Sequence, residues 1–163
     1  MKGGGKDKLR PPRRAERQRY EAGESSIKRQ VAALPWRWSP EGEVEVLLIT
    51  SRETGRWLIP KGSRMIGRTD HSAAALEAEE EAGVRGRISR TSAGSFRYVK
   101  RVPGGERLMQ ADIYPLQVRK ELRRWKERGQ RQRLWVTLEE AARLVGDADL
   151  ARVLRELGKV ERE

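Results

Sequence analysis

A chain of 163 residues holds one domain of ordinary size with extensions and is too short for two full ones. It has no cysteine, which excludes disulfides and thiolate metal sites and is compatible with a reducing cytoplasm. With a formal charge of +12, 36% hydrophobic and 37% charged residues, the apolar side chains must be concentrated in a few elements to offset the entropy lost on folding.

Residues 1–30 carry ten Lys or Arg against four Asp or Glu in a stretch rich in Gly, Pro and Arg. Residues 1–25 therefore read as a basic, flexible arm that can steer anions or make weak, nonspecific RNA contacts through phosphates. The arm lacks the apolar stretch of an export signal, and no apolar run approaches the roughly 18 residues of a membrane span. The expectation is a soluble, cytoplasmic protein without a membrane partner.

Residues 26–158 read as a single folded domain and 159–163 as a short tail. "IKRQVAALPWRW" is apolar enough for a buried strand, "SPEGE" has turn chemistry, and "VEVLLIT" reads as a second strand completing a hairpin. "RWLIP" is a short strand that Pro60 should end, because proline has no N–H for a ladder. A helix is expected over Asp70–Ala82, with Thr69 as N-cap, Asp70 at the positive end of the dipole and Gly83 as a left-handed C-terminal cap. "RGRISR", "SFRYVKRV", "ERLMQADIYPLQV" and "RQRLWV" have strand character, and "PGGE" joins the second to the third. "TLEEAARLV" has Thr137 and Glu140 at capping-box spacing, and "DADLARVLRELG" reads as a last helix ending near Gly158. Trp57 and Trp135 fall in strand contexts that favour core packing, and His71 falls in an exposed first helical turn.

Glu77, Glu79, Glu80 and Glu81 crowd the end of the first helix. At about 100° per residue, Glu77, Glu80 and Glu81 share one face, and like charges at that spacing destabilise a helix by a few tenths of a kcal/mol per pair. A hard divalent cation such as Mg²⁺ or Mn²⁺, which prefers oxygen ligands, would compensate; a solvated acidic face is the alternative.

The stretch "GSRMIGRTDHSAAALEAEEEAGV" resembles the signature of the Nudix hydrolases: Gly, five residues, Glu, seven residues, then Arg-Glu-aliphatic-any-Glu-Glu-any-Gly-aliphatic. From Gly62 the sequence supplies Glu77, Ala78, Glu80, Glu81, Gly83 and Val84 in register. The segments "VEVLLITSRETGRWLIPKG" and "RLWVTLEEAARLV" also look like the family's flanks, and the likeness covers about residues 27–157. It departs at Arg68, where the pattern has its first Glu, and at Leu76, where the pattern has Arg. The family's arginine orients neighbouring carboxylates by charge-assisted hydrogen bonds, which leucine cannot make.

The resemblance implies an α/β fold, an α/β/α sandwich with a mixed sheet between helices. It implies Mg²⁺ or Mn²⁺ held by Glu77, Glu80, Glu81 and the backbone carbonyl of Gly62, with Glu80 or Glu77 as the catalytic base. The reaction would be attack of water on phosphorus in a diphosphate linkage of a polyphosphorylated small molecule, a diphosphoinositol polyphosphate or a dinucleoside polyphosphate. Lys28, Arg29, Arg52, Arg56, Lys61, Arg107, Arg131 and Arg133 are the phosphate-binding candidates, as basic residues on the elements that flank the box. Two rival readings are an RNA 5′-pyrophosphohydrolase, favoured by the basic arm, and a Nudix-fold ligand-binding or regulatory module, favoured by Leu76. Leu76→Arg is expected to raise activity.

Overall fold

The computed structural model describes residues 27–162, so the expected arm lies outside the described residues. Eight strands and three helices follow in chain order. The strands are β1 (Lys28–Trp38), β2 (Val44–Thr50), β3 (Trp57–Leu58), β4 (Lys61–Ser63), β5 (Val84–Ile88), β6 (Gly94–Val102), β7 (Gly105–Glu121) and β8 (Arg133–Thr137). Between β4 and β5 lies α1 (Asp70–Glu77), which runs on into a π-helical turn (Ala78–Ala82); α2 (Leu138–Leu144) and α3 (Ala148–Arg162) close the chain.

All the strands join one sheet, in the order β3-β2-β1-β7-β5, with β8 on β2, β4 on β1 and β6 on β7. Lys28–Trp36 of β1 runs parallel to β7, and the remaining pairings of these strands are antiparallel. Both central strands change partner along their length. β1 pairs with β4 over Gln30–Ala32 and with β2 over Trp36–Trp38. Pro35, which has no N–H to give, sits between the two pairings. The sheet therefore forks, and β4 brings Gly62 to the fork opposite Val31.

Odd-numbered β1 residues Val31 and Ala33, with Leu47, Ile49, Tyr114 and Leu116, pack against Ala73, Ala74, Ala78 and Ala82 of the α1 segment. Those alanines let the helix lie close to the sheet. The other face buries Ala32, Leu34, Val46, Leu48, Phe96 and Ile113 under Leu138, Ala141, Leu150 and Leu154 of α2 and α3. Each fully buried large apolar side chain contributes about 1.5–3 kcal/mol. This is the expected sandwich, a mixed sheet between helices. Trp57 and Trp135 are packed against the two cores as expected.

The expected caps form. Thr69 Oγ1 accepts from Ser72 N at 3.4 Å, Thr137 Oγ1 accepts from Glu140 N at 3.2 Å, and Gly83 takes φ 68°. Two helical expectations need correction. The Asp70–Ala82 helix is not regular, since its last turn is π, with Gly83 N–H directed at both the Ala78 and Glu79 carbonyls. The last helix does not stop near Gly158 but continues to Arg162. Gly158 does not adopt a positive φ, and a Cβ there would make ordinary contact with Leu138 Cβ at 3.7 Å, so it neither caps nor ends α3. Among the described residues no helix is long and apolar enough to cross a membrane.

Candidate functional site

Three elements meet at the fork of the sheet: β4, the π turn after α1, and the loop from Leu122 to Gln132. π turns depart from the i→i+4 ladder and recur at functional sites. Here the turn redirects the glutamates away from the regular 100° spacing. The loop docks on this turn through its backbone, with Glu127 N–H donating to Glu80 O at 3.0 Å and Leu122 N–H to Gly83 O at 2.8 Å. Trp125 covers Gly83 so closely that a Cβ there would overlap its ring.

The carboxylate of Glu77 lies against the backbone of Gly62, in the space a Cβ on residue 62 would fill. Glu77 is half-buried. Burial, and then the neighbouring Glu81, Glu80 and Glu127, push its carboxyl up to about 7. Glu81 Oε2 accepts from the Lys61 N–H at 3.1 Å, and its Oε1 lies 3.5 Å from Arg131 Nη2. Burial pushes Glu81 up to about 7, against the opposing pull of Arg131 and of the Lys61 N–H. Glu80 is more open and lies 3.7 Å from Lys126 Nζ. Glu79 points away, to Arg85.

Among the described residues no group of three or more acidic, histidine or cysteine side chains forms a ready-made metal cage. Glu80 is drawn to Lys126 and Glu81 to Arg131, so the three carboxylates are neighbours with separate partners. The donor chemistry nevertheless fits a hard divalent cation. Carboxylates that repel one another sit beside a glycine whose bare Cα leaves room for Glu77.

The phosphate-binding candidates divide. Lys61 lies opposite Ala32, and Lys28, Gln30 and Ala32 share the α2/α3 face of the sheet by strand alternation. Tyr98 and Lys100 of β6, and Arg107 opposite Lys100 on β7, fall on that same face. Lys28, Lys61 and Arg107 therefore share one face of the sheet, spread along it. Lys61 Nζ sits 4.8 Å from the Tyr98 ring centroid, and Tyr98 OH donates to Gln30 Oε1. Burial lowers the Lys61 ammonium below its ordinary range, partly offset by Glu81 and Asp147. Arg56 lies along Gly146, next to Asp147 at the edge of this face.

The other four candidates are engaged elsewhere. Arg29 lies on the α1 side, 3.9 Å from Asp112. Arg52 binds Glu127 at 2.9 Å and Gln130 at 3.0 Å. Arg133 donates to Ala82 O at 2.8 Å under the Trp125 ring. Arg131, with only 9% of its side chain exposed, binds Glu81, Glu127 and the Thr50 carbonyl. Arg131 and Arg133 also border an open hollow of about 410 Å³ with Trp125, Arg128 and Trp135.

No family model matches the chain. Over 137 residues it is 36% identical to Nudix hydrolase 16, mitochondrial, of Arabidopsis thaliana, which covers 76% of this chain and 74% of the relative. The chain belongs to the Nudix hydrolase family. Nudix hydrolase 21, chloroplastic, of the same plant is 35% identical over 130 residues, with 78% of this chain covered but only 63% of the relative's length. The diphosphoinositol polyphosphate phosphohydrolase 3-beta of Bos taurus is 31% identical over 73% of this chain and 70% of its own. The fold likewise matches solved Nudix structures. A Caenorhabditis elegans Ap4A hydrolase superposes with TM-score 0.60 at 19% identity over 82% of this chain and 98% of its own. A MutT protein from Methanosarcina mazei Go1 gives 0.62 at 19% identity over 84% and 96%.

As a Nudix box, the segment keeps its last three glutamates and both glycines and departs where expected. Arg68 is exposed and donates to Ser72 Oγ at 3.3 Å, and Leu76 is half-buried. Four residues of the site were not anticipated: Tyr98, Lys100, Glu127 and Asp147. Alternation in "SFRYVKRV" could have placed Tyr98 and Lys100 on one face, and Glu127 and Arg131 stand at i,i+4. Which strand faces which helix, however, is set by the parallel pairing of β1 with β7, which no local pattern announces.

Proposed function

We propose that this chain hydrolyses a diphosphate linkage in a polyphosphorylated small molecule, using Mg²⁺ or Mn²⁺ held by Glu77, Glu80, Glu81 and the carbonyl of Gly62. The observation that carries the reading is the Glu77 carboxylate, half-buried on Gly62 beside Glu81. Such a divalent ion, when bound, supplies positive charge for the phosphate oxygens and lowers the pKa of an attacking water.

The chain's own residues supply the rest. Glu81 is held by the Lys61 N–H and Arg131, and Glu77 by its packing on Gly62, whereas the ion-pair partner of Glu80 among the described residues is the exposed Lys126. Glu80 is therefore the base we favour over Glu77. It takes the proton of a water whose oxygen bonds to phosphorus as the bridging P–O bond breaks, and the leaving phosphate carries away that bond's electrons. Lys61, beside Glu81, and Lys28, Lys100 and Arg107 further along the same sheet face would bind the remaining phosphates. Arg52, Arg131 and Arg133 would act on structure before substrate, because their guanidinium groups are already shared with protein acceptors.

A cluster of cations on one face favours a densely phosphorylated substrate, a diphosphoinositol polyphosphate or a dinucleoside polyphosphate. We place the reaction in the cytoplasm, a reading supported by the cysteine-free composition. The second reading, a Nudix-fold binding module with little turnover, is favoured by Leu76. Release of phosphate or nucleotide from a panel of inositol pyrophosphates, dinucleoside polyphosphates and 5′-triphosphorylated RNA, with Mg²⁺ or Mn²⁺ and with Glu80→Gln, decides between them. Turnover lost in Glu80→Gln supports the hydrolase; tight binding without turnover by the unaltered chain supports the module. The RNA contact assigned to the arm is tested by deleting residues 1–25 and measuring salt-dependent RNA binding.

A further inference from the structure

We propose that Arg131 is the positioning residue that orients Glu81, taking over from outside the box the task that Leu76 cannot perform within it; the inference rests on the metal-binding reading above. Arg131 reaches the site from the loop before β8, some fifty residues downstream of Glu81 in the chain. Its Nη2 lies 3.5 Å from Glu81 Oε1, its Nε 3.3 Å from Glu127 Oε2, and its Nη1 donates to Thr50 O at 3.0 Å. Two hydrogen-bond acceptors, Glu127 and the Thr50 carbonyl, and the Glu81 carboxylate at ion-pair distance thus surround one planar fork from three elements, a geometry suited to guanidinium and not to ammonium.

The partners are themselves held. Glu127 receives Arg52 at 2.9 Å on its other oxygen, and its own N–H ties it to the π turn at Glu80 O. Gln132 N–H donates to Thr50 Oγ1 at 2.9 Å and Thr50 N–H to Gln132 O at 3.1 Å, which ties the backbone immediately after Arg131 to β2. The side chains of Glu81 and Glu127 are each 12% exposed and that of Arg131 9%, so water does little to compete for these contacts. The Lys61 N–H hydrogen-bonds one oxygen of Glu81 and Arg131 stands at ion-pair distance from the other, so the carboxylate is held from both sides at the acidic cluster. Groups that hold a metal ligand in orientation typically account for 10- to 100-fold in metal affinity or activity.

The test uses the full chain, Mn²⁺ as probe, and calorimetric affinity beside steady-state kinetics. Arg131→Gln should bind Mn²⁺ at least about tenfold more weakly and lose kcat with KM little changed. Arg131→Lys, which keeps the charge and loses the fork, should fall between. Adding Leu76→Arg to Arg131→Gln should recover Mn²⁺ affinity, a rescue that a purely structural role would not give. Folded Arg131→Gln with unaltered Mn²⁺ affinity overturns the inference and leaves the metal reading standing, whereas an unaltered chain that binds no Mn²⁺ overturns both. If Arg131→Gln does not fold, the lysine variant decides: reduced Mn²⁺ affinity recovered by Leu76→Arg supports the assignment, and full affinity overturns it.

Discussion

The carboxylate of Glu77 occupies the space that a β-carbon on Gly62 would need. The contact joins the first glycine of the box to its helix, fifteen residues further along the chain. Gly62→Ala should therefore displace Glu77 while leaving the backbone unstrained, because Gly62 has no positive φ. The expected outcome is a loss of roughly 10- to 100-fold in kcat/KM and in Mn²⁺ affinity, with the unfolding midpoint within a few degrees of the unaltered chain. Kinetics and a thermal melt on the same preparation check it; unchanged kinetics in a folded variant would mean that Glu77 does not act from this position.

Burial raises the carboxyls of Glu77 and Glu81 from their ordinary 4.5 to about 7. A folded pKa above the unfolded one means that folding takes up protons, so this contribution to stability is complete below about pH 4.5 and is lost as the pH rises through about 7. In EDTA the unfolding midpoint should fall across that window, and Glu77→Gln should flatten the fall. Mg²⁺ or Mn²⁺ should raise the midpoint more above pH 7 than below pH 5, because the ion binds the ionised carboxylates of the folded chain. Equal slopes in the two proteins would remove Glu77 from the account.

Lys28, Lys100 and Arg107 lie on the same sheet face as Lys61, and Lys100 stands directly opposite Arg107. Like charges in that position weaken a sheet unless an anion spans them. Lys100→Glu should raise KM several-fold, and more for substrates with more phosphates, while kcat stays close to its original value. Added salt should narrow the difference between the two proteins. A KM change of the same size for every substrate would point to a general disturbance of β6.

The local devices of this fold are legible in the sequence and its long-range pairings are not. "SPEGE" marks the β1–β2 hairpin, "PGGE" the β6–β7 hairpin, and Thr69, Gly83 and Thr137 mark helix ends, because turns and caps are decided within a few residues. The three-residue strand β4 escapes such reading, since Lys61–Ser63 has no apolar alternation and exists by pairing with Gln30–Ala32. The π turn escapes as well: periodicity places Glu77, Glu80 and Glu81 correctly on one segment but assumes a uniform twist. For the basic residues, composition shows where they occur and only tertiary contacts separate Lys61 and Arg107 from Arg131 and Arg133. Arg131 reads as an anion-binding residue in sequence because the Thr50 carbonyl, Glu127 and Glu81 come to it from other elements only in the fold.

Gly83 ends the π turn with φ 68°, and Trp125 lies over its Cα, with Arg133 on the Trp125 ring at 4.3 Å. An alanine here meets two separate costs, the left-handed backbone and overlap with the indole. Gly83→Ala should destabilise the chain by about 2–4 kcal/mol, visible as an earlier urea midpoint. Trp125→Ala in the same background removes the overlap and leaves the backbone cost, so the double variant should lose less than the sum of the two single ones. Because the Leu122–Gln132 loop carries Glu127 and Arg131, Gly83→Ala should also weaken Mn²⁺ binding in the molecules that remain folded. Strict additivity of the two substitutions would show that Trp125 yields freely, and that its cover over Gly83 does not fix the loop.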